Sequence, residues 1–249
     1  MLKLGEEVLG AEHVVVSIFM IELAISHHYS GQHAQAIPLY QRALAFSEKT
    51  QGPKHPDTGA SLNNLARLFQ DMGQFTQALP LYQRAQAIVE KTKGLEHPDT
   101  GTSLNNLASL YQAMGQYAQA LPLHLRAERI AFSSNDRGNL WQAQIGLALL
   151  YSKQKQPTAA IFWAKQAVNT IQSLRAGLVK MDRELQSRFL KDKRWVYTGL
   201  SQWLIDAGRI PESQRVMALL KEEELFDFVR RDASASLAQS ELPLTGVER

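Results

Sequence analysis

The sequence predicts an all-α protein, a solenoid in which antiparallel helix pairs stack side by side. The first observation is an internal repeat: when residues 52–93 are placed over residues 94–135, 25 of the 42 positions are identical. The second is that apolar residues within each copy recur at i, i+3, i+4 and i+7, which puts them on one face of a helix. Because this helical spacing holds throughout, the period indicates stacked helix pairs and excludes the blades of a β-propeller.

Further copies extend the repeat in both directions. Residues 31–43 match residues 73–85, and a fourth copy appears at an offset of 40. The expected repeats lie near 11–51, 53–93, 95–134 and 137–174, and together they form a repeat array over 1–174. A helical connector with a degenerate fifth repeat is expected over 175–232, followed by a polar linker or tail over 233–249.

Each copy carries signals for where its helices begin and end. Pro56 predicts the start of the first helix of copy two, because proline is tolerated in the first turn. Gly73 predicts its end, where a left-handed residue is common. Pro80 lies past the first turn of the second helix, where it removes a backbone hydrogen bond. The same proline recurs as Pro38 and Pro122, so we expect the fold to accommodate it.

Composition limits the class of protein. The 27 Lys and Arg residues against 24 Asp and Glu give a net charge of +3, which indicates no general affinity for nucleic acid. The chain has no cysteine, which excludes disulfides, a thiolate nucleophile and Cys-ligated metals. Its longest apolar stretch, 14–25, is shorter than the roughly 20 residues of a membrane span. With no signal-peptide pattern at its start, we expect a soluble, cytoplasmic protein without membrane contact.

The sequence contains no glycine-rich phosphate loop, HExxH or nucleophile elbow, so we predict no enzymatic activity, no catalytic residue and no cofactor. His27, His28 and His33 are the closest group of metal-ligand type. His27 and His33 stand where other copies have Phe or Tyr, which favours packing and predicts no metal site. The histidines that recur once per copy in the connection, and that we expect to be structural, are His13, His55 and His97.

Polar residues on the first helices predict a binding surface. Asparagine is a middling-to-poor helix former, so two adjacent asparagines in mid-helix call for a reason. One hypothesis is a ladder of amides that satisfies both the N–H and C=O groups of an extended peptide. The alternative is that they bond to the neighbouring repeat and hold the superhelical pitch. The predicted peptide-binding residues are Asn63, Asn64, Arg67, Gln70, Asn105, Asn106, Ser109 and Gln112.

The first helix of copy one, within 14–25, is apolar nearly all round. A helix of this kind needs cover on more than one side, whereas a terminal repeat normally has a polar outer face. Either the chain is a truncated piece of a longer array, or this end is covered by a second copy or by a partner; we favour truncation or self-association through this first repeat.

The motif LNNLAxLxxxxGQ(F/Y)xxALPLxxRA with the connection GxxHPDT covers residues 10–135 and resembles the long tetratricopeptide repeat of kinesin light chains and their bacterial relatives. The resemblance implies a right-handed superhelix and a protein–protein interaction scaffold. It also implies that the asparagines of the NNLA motif contact a peptide in the concave groove.

The segments 160–175, 182–190 and 208–232 resemble those that link repeats to a CHAT domain, a caspase-like cysteine protease, in one bacterial group of tetratricopeptide proteins. This resemblance implies the regulatory or sensing arm of a CHAT-type protease system, with the protease supplied in cis or in trans. The protease's His and Cys are then expected beyond Arg249.

A second hypothesis comes from residues 175–194, which hold seven basic residues against three acidic ones. Some proteins of the resembled group work with CRISPR-like effector assemblies, so the chain could be a nucleic-acid-associated subunit that uses this segment. The segment lacks interleaved aromatic residues for base stacking, and solvated helical charge explains it more simply. Nucleic acid is therefore the second choice of partner.

Overall fold

The computed structural model describes residues 8, 10, 13–178, 189, 191–226, 242, 245 and 246. Within these residues it contains helices and no β-strand, so the all-α prediction is confirmed. The helices are α1 (Val14–Tyr29), α2 (His33–Thr50), α3 (Pro56–Asp71), α4 (Phe75–Lys93), α5 (Pro98–Ala113), α6 (Tyr117–Ser133), α7 (Arg137–Lys153), α8 (Pro157–Leu178), α9 (Arg194–Asp206) and α10 (Ile210–Phe226).

The chain divides into two compact units, residues 1–123 and 124–249. In the first unit, each helix from α1 to α5 packs on the next, and α3 also contacts α5. The apolar stripe read from the sequence forms the core there, with Leu65, Ala66 and Phe69 buried against Ala78 and Tyr82 of α4. The spacing of apolar residues therefore gives the inward face of α3 and α4.

The histidine that recurs in each connection caps the helix that follows it. His13, His55 and His97 precede α1, α3 and α5, and the ring Nδ1 of each accepts a hydrogen bond from a backbone N–H of the first turn. The donors are the N–H groups of Val15, Asp57 and Asp99, at 3.2, 3.2 and 3.1 Å. An N-terminal N–H has no partner within the helix, so a side-chain acceptor at this position stabilises the helix start.

Gly73 follows the end of α3 with a φ of +72°, the left-handed conformation that the sequence predicts for this position. Pro38, Pro80 and Pro122 each stand at the sixth residue of a second helix, α2, α4 and α6. All three are exposed, as are the residues four positions earlier. Because water reaches this face, the carbonyl that loses its helical donor can be hydrated, which explains how the fold accommodates the prolines.

Helix α1 buries one face and exposes another. Val16, Met20 and Ala24 are buried, while Val14 and Ile18 are each 52% exposed. For this exposed apolar face the sequence predicts either a truncated array or self-association, and both remain predictions.

The second unit has its core between α7, α8, α9 and α10, around Ile161, Val168, Val196 and Leu200. Lys165 of α8 lies in this core, 1% exposed, and its Nζ is 2.6 Å from Oε2 of Glu212 on α10. The hydrogen bond donated by Arg209 and, to a lesser extent, the one donated by Lys165 hold the pKa of Glu212 below its usual range. The ion pair thus joins the second helix of the fourth copy to the last helix pair.

His124 of α6 is fully buried, in the position that tyrosine occupies in the earlier copies. Its ring lies directly against the backbone of Gly146, since a Cβ added to that glycine would be only 2.5 Å from Cε1 of the ring. Burial lowers the pKa of His124 to about 4. The ring is therefore neutral at physiological pH, and it packs at a position where the earlier copies have an aromatic residue.

Candidate functional site

The structure places all eight predicted peptide-binding residues on α3 and α5, the first helices of the second and third copies. They differ in exposure. Arg67 is exposed, whereas Asn105 is 8% exposed and has a partner within the protein. The half-buried residues are Asn63, Asn64, Gln70, Asn106, Ser109 and Gln112.

The side chains of Asn63 and Asn106 lie next to each other. Nδ2 of Asn106 donates a hydrogen bond of 3.1 Å to Oδ1 of Asn63, which joins α5 to α3. This is the contact between neighbouring repeats that the alternative hypothesis expects. An amide group has two donors and an acceptor with two lone pairs, so each asparagine keeps hydrogen-bonding capacity beyond this contact.

Asn64 differs from Asn63 and Asn106 in its hydrogen bonding. Its half-buried amide makes no hydrogen bond with any part of the chain that the structure describes. Ser109, by contrast, donates to the backbone carbonyl of Asn105 at 2.9 Å, four residues earlier on the same helix. Asn64 thus keeps its full hydrogen-bonding capacity, and a half-buried amide without a partner is costly unless water or a ligand satisfies it.

Arg67 extends the polar surface toward an aromatic group on α1 and α2. Its guanidinium lies 5.8 Å from the ring centroid of Tyr29, within the range of a cation–π interaction. Next to it, Nε2 of His28 is 2.8 Å from Oδ2 of Asp71, and the His28 ring packs on the ring of Tyr40. Burial raises the pKa of Tyr40 to about 12. The pairing of Asp71 with His28 depends on how two repeats stack, so a pattern within one copy gives no sign of it.

A cleft of about 190 Å³ opens beside Asn63, between α3, the end of α4 and the start of α5. Its floor has room because Gly59, Ala60 and Ala85 are small. The hydroxyl of Ser103 lines it, buried and without a hydrogen-bond partner. The other lining residues are Pro56, Val89, Lys93, Asp99 and Thr102. Sequence reasoning missed the contribution of α4, because the apolar pattern of α4 indicates only its inward face.

The histidines make packing and hydrogen-bond contacts. Nδ1 of His27 is hydrogen-bonded to the side-chain oxygen of Gln32, and His28 packs edge-on against His33 with ring centroids 5.8 Å apart. Within the described ranges, no three His, Cys, Asp or Glu side chains come together as a metal site.

The basic segment 175–194 falls largely outside the described residues, which leave out 179–188 and 190. Of its described part, Lys193 packs its ammonium 3.8 Å from the ring centroid of Phe189 and 5.5 Å from that of Trp141. Burial lowers the pKa of Lys193. Nucleic-acid contact through this segment remains a prediction.

A family model described as Tetratricopeptide repeat matches residues 15–91, 57–133 and 99–173, more than half of the chain. The chain belongs to the tetratricopeptide repeat family. The predicted resemblance is confirmed at this level, and the described helix pairs are those of tetratricopeptide repeats.

Solved structures with this fold include relatives of the kinesin-light-chain type. A crystal structure of a Podosopora anserina putative kinesin light chain with nearly identical TPR-like repeats is 25% identical, with a TM-score of 0.62, over 84% of this chain and 94% of that one. The crystal structure of BtubC (BKLC) from P. vanneervenii is 18% identical, with a TM-score of 0.67, over 93% of this chain and 90% of that one. These likenesses show the fold of the tetratricopeptide chain.

No curated protein matches the tetratricopeptide chain. Among its described helices, none is both long enough and apolar enough to cross a bilayer.

Proposed function

We propose that this tetratricopeptide protein is an interaction scaffold that binds an extended segment of a partner protein along α3 and α5. The observation that carries the proposal is the half-buried amide of Asn64, which has no partner in the described part of the chain and lies next to the Asn63–Asn106 pair in sequence. An extended peptide supplies the N–H and C=O groups that such an amide needs.

The surroundings of Asn64 define what kind of segment fits. The exposed guanidinium of Arg67, one helical turn further on, suits a carboxylate of the ligand. The cleft beside Asn63 has a volume of about 190 Å³, which suits one medium-sized apolar side chain. Only copies two and three carry the paired asparagines, so we propose a short epitope.

The test compares Asn64→Ala with Gln77→Ala, a matched control at an exposed amide on the second helix α4. A random peptide library is first selected on the wild-type chain, and the dissociation constants of the selected peptides are then measured for each variant. We expect Asn64→Ala to weaken binding by about tenfold or more, because one good hydrogen bond is worth ~1.4 kcal/mol of binding free energy. Gln77→Ala should bind as the wild type does.

The same experiment separates binding from structure. Asn64→Ala should change the melting temperature by no more than a few degrees, since no protein hydrogen bond is lost. If Asn64→Ala unfolds the first unit, the asparagine is structural. If the folded variant binds the selected peptides as tightly as the wild type, the peptide surface lies elsewhere.

We further propose that the chain serves as the regulatory arm of a CHAT-type protease system, on the resemblance of residues 160–175, 182–190 and 208–232. Of these segments, 160–175 lies in α8, whereas 182–188, 190 and 227–232 lie outside the described residues. The coding sequence around the chain tests this: a neighbouring frame with a paired His and Cys supports the link, and its absence makes the protein a stand-alone adaptor.

A further inference from the structure

One residue of the C-terminal segment is held by an asparagine of α8. Nδ2 of Asn169 donates to the backbone carbonyl of Leu242 at 3.2 Å, and the backbone N–H of Leu242 donates to Oδ1 of Asn169 at 2.8 Å. Both main-chain groups of Leu242 are thus satisfied by one side-chain amide, which offers the donor and acceptor that a neighbouring strand would offer.

The side chain of Leu242 completes the contact. It is 6% exposed and belongs to the apolar cluster of the second unit, together with Ile161, Val168 and Ile171. The leucine therefore gains hydrophobic burial while its backbone is held by hydrogen bonds. These are the two components of extended-peptide recognition: main-chain hydrogen bonds for affinity and a side-chain site for specificity.

The pair of hydrogen bonds between Asn169 and Leu242, which we call the clamp, does not come from the repeat pattern. Asn169 aligns with Arg129, Ala87 and Ala45 in the earlier copies, so the amide is particular to the fourth copy. The contact also joins residues that are 73 positions apart in the sequence. The repeat pattern therefore does not account for the asparagine at this position.

We propose that Asn169 and the adjoining apolar cluster form a peptide-binding site for an extended, leucine-bearing segment of a partner protein. In the isolated chain the site is occupied by the chain's own Leu242. The partner's segment binds by displacing it. A tethered segment competes at an effective concentration on the order of millimolar, so the partner must bind more tightly than the free peptide of the same sequence.

The test uses a fluorescein-labelled peptide with the sequence of residues 237–249, added to three forms of the full chain. Leu242→Ala leaves the site open, the wild type keeps it occupied, and the double variant Leu242→Ala with Asn169→Ala removes the clamp. We expect the Leu242→Ala chain to bind the peptide about tenfold more tightly than the wild type, and the double variant to lose about tenfold again. A scrambled peptide, and one with alanine in place of the leucine that corresponds to Leu242, should not bind.

Asn169→Asp provides a second variant if Asn169→Ala does not fold, because the carboxylate keeps the acceptor for the N–H of Leu242 and loses the donor to its carbonyl. Circular dichroism verifies that each variant is folded. The proposal is overturned if the folded Leu242→Ala chain binds the peptide no better than the wild type does. It is also overturned if the substitution of Asn169 leaves the dissociation constant of the peptide unchanged. The contact would then be only a structural anchor for Leu242.

Discussion

The contact between His124 and Gly146 predicts that replacing glycine by alanine lowers the free energy of unfolding at position 146 of the second unit. The same replacement should raise it at Gly199 of that unit. A methyl group on Gly146 would lie 2.5 Å from Cε1 and 2.8 Å from Nδ1 of the His124 ring. An ordinary carbon–carbon contact is about 3.5–4.0 Å, so the ring or the helix must move by about 1 Å. The ring is fully buried, and because protein interiors are close-packed, a shift of this size should disturb its neighbours.

The magnitude follows from two opposing terms. Overpacking a well-packed interior costs about 1–3 kcal/mol, whereas replacing glycine by alanine inside a helix gains up to ~1 kcal/mol. We expect Gly146→Ala to lower the free energy of unfolding by about 1–2 kcal/mol. Gly199, within α9, has no heavy atom within 4 Å of an added Cβ, so Gly199→Ala should raise it by about 0.5–1 kcal/mol.

Urea unfolding followed by tryptophan fluorescence is a suitable assay, because all 4 tryptophans of the chain lie beyond residue 123, in the second unit. The signal therefore reports on the unit that contains both glycines. A double variant, Gly146→Ala with His124→Ala, should recover part of the loss relative to the sum of the single changes. If Gly146→Ala stabilises the unit as much as Gly199→Ala does, the ring contact does not constrain residue 146 and the reasoning is wrong.

Two further predictions concern the same unit and the same assay. Burial lowers the pKa of His124 to about 4, so between that value and about 6.5 the unfolded chain binds the extra proton. Stability should fall as the pH falls through this window, by ~2 kcal/mol between pH 7.5 and pH 5, and less in His124→Phe; an equal loss in both would contradict this. Glu212→Gln should cost about 3–5 kcal/mol because it removes the carboxylate charge that lies 2.6 Å from the buried ammonium of Lys165, whereas Lys165→Met should cost much less because Glu212 keeps its ion pair with Arg209; the reverse order of urea midpoints would refute the buried-pair argument.

Much of the fold follows from the sequence because tetratricopeptide repeats are local structures. Proline at the start of α3 and Gly73 at its end are signals within the helix itself, and the observed helix has these limits. The apolar positions Leu65, Ala66 and Phe69 are buried as their spacing predicts. Each of these features depends on residues within one turn or one copy.

The candidate site is less predictable because its contacts join different copies. The pattern treats Asn63 and Asn105 as equivalent, yet Asn63 accepts a hydrogen bond from Asn106 while Asn105 is buried. Which of them stays accessible depends on the angle and distance between stacked helices, and these are not encoded in the spacing. The pairing of Asn169 with Leu242 is harder still, since it spans 73 positions and has no periodic signal.

The exposed prolines of the second helices bear on how the protein folds. A proline at the sixth residue of α2, α4 and α6 deprives the second turn of a hydrogen bond at the stage where a growing helix is least stable. These helices are therefore weak on their own and depend on the preceding first helix as a template. A single helix pair cannot bury its apolar face alone, so during synthesis the second helices should become stable only after neighbouring pairs have stacked on them.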